Sequence, residues 1–205
     1  MQQLNQRNLS TATLLTSIIA VILLTLSFTF NKESFFLLLN KDLGLTADVF
    51  FANITKGGEI VPWVLALVLI LIFKKELFWL LLACFFISTL FVQGLKNVLP
   101  EQARPTKAIT NIQQVHTVDG VELYKVHSFP SGHTSAAFTV FFIACFAIKA
   151  RWVVPVGFIY VFLVAYSRIY LAEHFPRDIA GGMLIAVATI YLSLWICERK
   201  VKLEK

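Results

Sequence analysis

The chain is short of charge. Only 15% of its 205 residues are Asp, Glu, Lys or Arg, where a soluble domain carries roughly a quarter. Cysteine is equally sparse. Cys84, Cys145 and Cys197 fall inside or at the ends of apolar stretches, which excludes a disulfide framework or a thiolate metal site and leaves them as small hydrophobes. No internal repeat or low-complexity tract stands out, and no soluble domain is set apart. What is present is apolar surface. The chain is 58% hydrophobic with a mean hydropathy of +0.75, and its apolar residues come in long runs with neither a helix-period nor a strand-period pattern. That composition points to a membrane protein.

A membrane-spanning helix needs about 20 mostly apolar residues. Six segments qualify or nearly do: Thr11–Phe30, Ile60–Phe73, Leu77–Leu95, Thr134–Ile148, Trp152–Tyr166 and Ile179–Cys197. The second reaches full length only if Gly57, Gly58 and Glu59 begin it. The fourth and fifth are short and are separated by Lys149 and Arg151. The first lacks a small-residue cleavage site after Phe30, so it reads as a retained helix and not a signal peptide. The expected fold is therefore all-α: a single polytopic membrane domain over residues 1–205, with six transmembrane helices.

Six spans put both termini on one side, and the positive-inside rule chooses which. One set of loops holds Arg7, Lys74, Lys75, Lys149, Arg151, Arg199, Lys200, Lys202 and Lys205 against Glu76, Glu198 and Glu204, a net +6. The other set balances nine basic with nine acidic residues. The whole formal excess lies on one face, which is expected to be cytoplasmic. Topology thus accounts for the basic balance, and nothing calls for a nucleic-acid partner. The four histidines, His116, His127, His133 and His174, fall on the opposite side.

That outer side carries the long connections. Residues 31–59 hold Phe35, Phe36, Val49, Phe50 and Phe51 and read either as short interfacial amphipathic helices or as an ordinary loop packed on the bundle. Residues 96–130 form a connection of a length that is usually functional or disordered.

Three polar clusters leave or enter helices on this face. Lys96 and Arg104-Pro105 follow the third span. Phe129-Pro130-Ser131-Gly132-His133 precedes the fourth. Ser167-Arg168, His174 and Asp178 join the fifth to the sixth. Lys96, Arg104 and Arg168 supply three cations, and Arg is suited to bidentate contact with phosphate oxygens. Ser131 and Gly132 precede a helix whose first amides form an anion site. Pro176 favours a helix start. His174 then stands just outside the helix, and Asp178 in its first turn can reach back toward it. A carboxylate accepting Nδ1–H leaves Nε2 unprotonated as a nucleophile, and His133 is placed as general acid for the leaving oxygen. His116 and His127 fit no cluster and read as solvated loop residues; Phe129 and Tyr170 read as packing.

Each feature alone has an ordinary explanation. A single Lys or Arg at a membrane edge is usually an anchor, and His133, His174 and Asp178 could be read as metal ligands. Three neighbouring cations would repel a divalent ion, so no metal and no other cofactor is expected. The ordinary explanations must also account for every cluster reaching one face.

In combination the clusters resemble the type 2 phosphatidic acid phosphatase (PAP2) superfamily, whose signature is Lys with a downstream Arg-Pro, then Pro-Ser-Gly-His, then Ser-Arg…His…Asp. The resemblance runs from Lys96 to Asp178. It implies a membrane phosphatase in which His174 forms a phosphohistidine, Asp178 orients it, His133 handles the leaving group, and Lys96, Arg104, Ser131, Gly132 and Arg168 bind phosphate. The first motif departs from the pattern: seven residues separate Lys96 from Arg104 where the family usually has six, and Lys107 is the alternative cation. The expected substrate is a phosphorylated lipid: undecaprenyl diphosphate, phosphatidylglycerophosphate, phosphatidate or lipid A phosphate. The expected setting is a bacterial inner membrane with the site facing the periplasm, and no obligate protein partner is inferred. A lipid phosphotransferase would use the same phosphohistidine. A non-enzymatic lipid-binding or transport protein is the remaining class, but transporters place charges near the bilayer midplane, and these spans are nearly free of charge.

Overall fold

The computed structural model describes residues 5–203; Glu204 and Lys205 of the basic tail lie outside them. Among the described residues there is no strand. The helices are α1 (Gln6–Thr29), α2 (Lys32–Leu39), α3 (Leu45–Ile54), α4 (Ile60–Phe73), α5 (Phe78–Val98), α6 (Pro105–Ala108), α7 (Gly132–Ala147), α8 (Val153–Tyr170) and α9 (Pro176–Leu203). All six apolar segments are helices, displaced from their expected ends by a few residues. Four helical stretches are long and apolar enough to cross a membrane: Gln6–Thr29, Lys75–Val98, Val153–Tyr170 and Pro176–Glu198. A fifth is formed if Leu45–Gly58 and Ile60–Phe73, which meet at a bend of 53°, count as one broken span. The fourth apolar segment, Gly132–Ala147, is a shorter helix of 16 residues.

Helix α9 is the hub and packs against α1, α5 and α7, while α7 also packs on α8. In lipid, burying apolar surface does not by itself drive helices together, so close packing and internal hydrogen bonds must hold the bundle. Both are present. Gly182 lets the start of α9 approach the start of α7 so closely that a Cβ there would lie 2.5 Å from the Ser131 carbonyl oxygen. The Ser88 and Ser135 hydroxyls pair at 2.9 Å between α5 and α7. Phe138, Phe142, Met183 and Ile190 fill the interior, whereas Leu65, Val68, Leu69 and Ile72 of α4 and Leu14, Ile18 and Val21 of α1 point outward. At the opposite end from the site, the Asn8 side-chain amide donates to the carbonyls of Ile148 and Ala150, fastening the start of α1 to the α7–α8 turn.

The 31–59 connection is helical and packed. Asn31 caps α2 by accepting from the amides of Glu33 and Ser34, Phe36 is fully buried against Phe175, and Phe51 meets Tyr166 edge to face and packs at a tilt on Tyr170. A 3-10 turn at Thr55–Gly58 follows α3. It presses on the first turn of α7, where a Cβ on Gly58 would fall 2.6 Å from the His133 Cβ. The reading of His116 as a solvated loop residue is corrected here. Its Nε2 lies 2.9 Å from Asp48 Oδ1 and its ring packs on Tyr170. The Asn40 side chain bonds the His116 backbone in both directions. His116 therefore ties the long 96–130 connection to α3 and α8. His127 is exposed, as expected.

Candidate active site

The site is assembled where α5, α7, α8 and α9 end or begin on one face. Helix α8 terminates in Ser167-Arg168 and turns through Ala172, whose φ of 55° lies in the left-handed region. The amides of Glu173 and His174 both donate back to the Arg168 carbonyl. This compact reversal sets Arg168, Glu173 and His174 side by side. Pro176 opens α9, so Asp178 falls in its first turn.

His174 is 2% exposed and Asp178 fully buried. Asp178 Oδ2 accepts from the Phe175 amide at 2.9 Å and from the Ser128 hydroxyl at 2.5 Å, and lies 3.6 Å from His174 Nδ1. The last distance is just beyond hydrogen-bond range. Catalytic contacts are commonly long before substrate binds, and Nδ1 has no other partner among the described residues. Burial pushes the His174 pKa down to about 4, with Asp178 pulling the other way. The imidazole is therefore neutral at neutral pH, the state a nucleophile requires.

The cations converge beside it. Arg104 is fixed by its Nε, which donates to the Val126 carbonyl at 2.9 Å, and its Nη1 is ion-paired with Glu173 Oε2. Arg168 donates through Nη1 to the Thr55 hydroxyl at 2.5 Å, and its Nη2 lies 3.4 Å from the same Glu173 oxygen. Burial raises the Glu173 pKa while Arg168 and Arg104 hold it down. Arg168 Nε is buried and has no partner among the described residues. Lys96, in the last turn of α5, senses the charges of Arg104, Arg168, Glu173 and Asp178. Lys107 instead is exposed and pairs with Glu101 at 3.4 Å, so the geometry brings Lys96 to the cluster and leaves the alternative outside.

Ser131 caps α7. Its hydroxyl accepts from the Thr134 amide and hydroxyl, and its own amide donates to the Asp178 carbonyl at 3.0 Å. With the Ser131 amide engaged, the first-turn amides of Gly132 and His133 are the donors this helix start offers an anion. His133 is half-buried, with Nε2 3.6 Å from Glu59 Oε1. Four side chains here carry no motif signal: Thr55, Glu59, Ser128 and Glu173. Only Glu173, an acid next to the histidine of a cation-rich cluster, could have been singled out by charge.

This constellation defines a phosphoryl-transfer centre set in a membrane bundle, and comparison with known proteins gives the same class. The PAP2 superfamily model matches residues 77–202. The chain is 26% identical over 170 residues, 82% of its length and 78% of the relative's, to an undecaprenyl-diphosphatase of Sulfolobus acidocaldarius. Among solved structures, that of Aquifex aeolicus LpxE superposes with a TM-score of 0.71 at 30% identity, covering 80% of this chain and 96% of the other. A transmembrane PAP2-type phosphatidylglycerolphosphate phosphatase of Bacillus subtilis shares the fold, with a TM-score of 0.64 at 20% identity over 94% of this chain and 96% of that one. The chain belongs to the PAP2 superfamily. It is an integral membrane phosphatase.

Proposed function

We propose that the protein hydrolyses a lipid phosphate or lipid diphosphate at the non-cytoplasmic membrane face through a phosphohistidine on His174. One observation carries this reading: a buried His174, its Nδ1 3.6 Å from Asp178, stands beside two guanidiniums that converge on a single anion. In the first step His174 Nε2 attacks phosphorus and the bond from phosphorus to the lipid oxygen breaks. The leaving oxygen takes a proton from His133, and Asp178 steadies the charge growing on the imidazole. Lys96, Arg104, Arg168 and the first amides of α7 hold the phosphoryl oxygens, where preorganised positive charge lowers the barrier most. In the second step water attacks the phosphohistidine, returns a proton to His133 and releases phosphate.

A lipid is favoured over a soluble ester because the cluster lies at the ends of apolar helices. The names of the Sulfolobus and Bacillus relatives support a lipid diphosphate and phosphatidylglycerophosphate as first candidates, with phosphatidate and lipid A phosphate beside them. The outward orientation rests on the +6 against zero charge split between loop sets. Phosphate release by the purified protein from these four lipids in detergent tests the activity, and no release from any of them would refute it. An impermeant thiol reagent applied to intact spheroplasts tests orientation: Asp119→Cys should be labelled without lysis, and labelling only after lysis would reverse the topology.

A further inference from the structure

Glu173 is the buried acid for which the proposed mechanism has no use. Among the described residues, Glu173 and Asp178 are the two buried carboxylates, and Asp178 is accounted for by His174. Glu173 sits directly before the nucleophile. One of its oxygens is shared by Arg104 Nη1 and Arg168 Nη2; the other accepts the Tyr124 amide at 3.4 Å. The two guanidiniums meant for phosphate are thus already joined to an anion, and that anion belongs to the protein. The cradle still has capacity to spare, since Arg168 Nε is buried without a partner and a planar carboxylate presents fewer oxygens than a tetrahedral phosphoryl group.

We propose that Glu173 is a specificity-determining residue, the resident anion of the phosphate cradle, from which a ligand must take over Arg104 and Arg168. This rests on reading the cluster as a phosphate site. The consequence is a filter on charge. A phosphodiester headgroup carries one negative charge, so replacing a carboxylate with it gains nothing in Coulomb energy and loses the carboxylate's tethered position. A terminal phosphate carries about −1.5 to −2 at pH 7 and gains on exchange with both arginines. A three-cation site at the ends of membrane helices is surrounded by singly charged phosphodiesters, and an unguarded cradle would be held by them. The contrary reading is that Glu173 merely positions the arginines. The two readings give opposite signs when the charge is removed.

The test uses the full chain in mixed micelles. Glu173→Gln keeps the shape and removes the charge. Inorganic phosphate should inhibit the variant at a concentration about tenfold or more below that needed for wild type, because the competing internal anion no longer reduces the available fraction of the cradle. Phosphatidylglycerol, a phosphodiester, should become a competitive inhibitor of the variant while leaving wild type indifferent. Unchanged or weaker phosphate inhibition overturns the proposal, as does continued indifference to phosphatidylglycerol. Weaker phosphate binding with lower kcat is the mark of a positioning role. If the variant does not fold, difference infrared spectra of wild type with carboxyl-13C glutamate decide. Phosphate binding should shift a glutamate carboxylate band, and its absence refutes the exchange. Direct phosphate binding by calorimetry separates this proposal from the activity itself: wild type that hydrolyses none of the four lipids refutes the proposed function, whereas the relative phosphate affinity of the two proteins judges Glu173.

Discussion

Replacing Ser128 with Ala tests the site where sequence offered least guidance. Ser128 lies in the connection before α7 and is anchored by its amide to the Gln102 carbonyl at 3.1 Å. Its hydroxyl donates at 2.5 Å to Asp178 Oδ2, the oxygen nearest His174 Nδ1. Two effects of the substitution oppose each other. Losing a donor makes the carboxylate a stronger acceptor for the imidazole, which favours attack. Losing it also frees a buried carboxylate that then keeps a single hydrogen bond, from the Phe175 amide. A hydrogen bond to a charged group contributes about 1.5–3 kcal/mol, or roughly ten- to hundredfold in rate at about 1.4 kcal/mol per decade. The gain in basicity is a fraction of this, so positioning should dominate. Ser128→Ala should lower kcat by about tenfold to a hundredfold with KM nearly unchanged, because the hydrogen bonds of Ser128 among the described residues go to Asp178 and Gln102 and to no phosphate-holding group. The assay is steady-state phosphate release from the best lipid, with thermal unfolding as a check on the fold. A double-mutant cycle sharpens it: on an Asp178→Asn background, Ser128→Ala should cost little further. Full additivity, or a change confined to KM, would refute the argument that Ser128 acts through Asp178.

The remaining predictions concern charge, close packing and the first motif. Because burial lowers the His174 pKa to about 4, its ring-15N signals should report a neutral imidazole at pH 5.5; titration near 6.5 would contradict the burial argument. The same shift has a stability consequence: below about 6.5 the unfolded chain binds a proton that folded His174 refuses, so stability should fall as pH drops from there toward 4. Gly58→Ala forces a Cβ to within 2.6–2.8 Å of His133 Cβ, Cα and backbone oxygen, so the start of α7 must move and kcat should drop about tenfold or more, whereas unchanged kcat would mean that this contact does not set His133. Lys96→Ala should raise KM and lower kcat while Lys107→Ala, on the exposed Glu101 pair, does neither; the reverse pattern in the same kinetic assay would make Lys107 the phosphate ligand.

How much of this was legible in the sequence follows from the range over which each residue acts. The apolar runs marked the six helical segments because a bilayer demands length and apolarity of a continuous segment. Pro176 marked the start of α9 and so placed His174 and Asp178, because proline acts locally. The seven-residue gap from Lys96 to Arg104 left the choice of cation open; α5 continues through Val98 and carries Lys96 in its last turn, within the field of the cluster's charges, while Lys107 is exposed. Thr55 meets Arg168 across 113 positions and Ser128 meets Asp178 across 50. No local pattern announces such meetings, because they depend on how helices pack. His116 was misread for the same reason: its partner Asp48 lies 68 positions away. The 31–59 segment was left between two readings because its phenylalanines suit an interface and a core equally well, and packing chose the core for Phe36 and Phe51.

The central claim is that phosphorus becomes bonded to His174. Wild-type protein quenched in base during turnover of a lipid carrying 32P in its terminal phosphate should retain label that is acid-labile and base-stable, and EDTA should not diminish it. His174→Ala should retain none and lose essentially all turnover, while His133→Ala should accumulate or slowly form the same adduct, most slowly with a poor alkoxide leaving group. Base-stable label at the wild-type level in His174→Ala would contradict the account and move the nucleophile to His133.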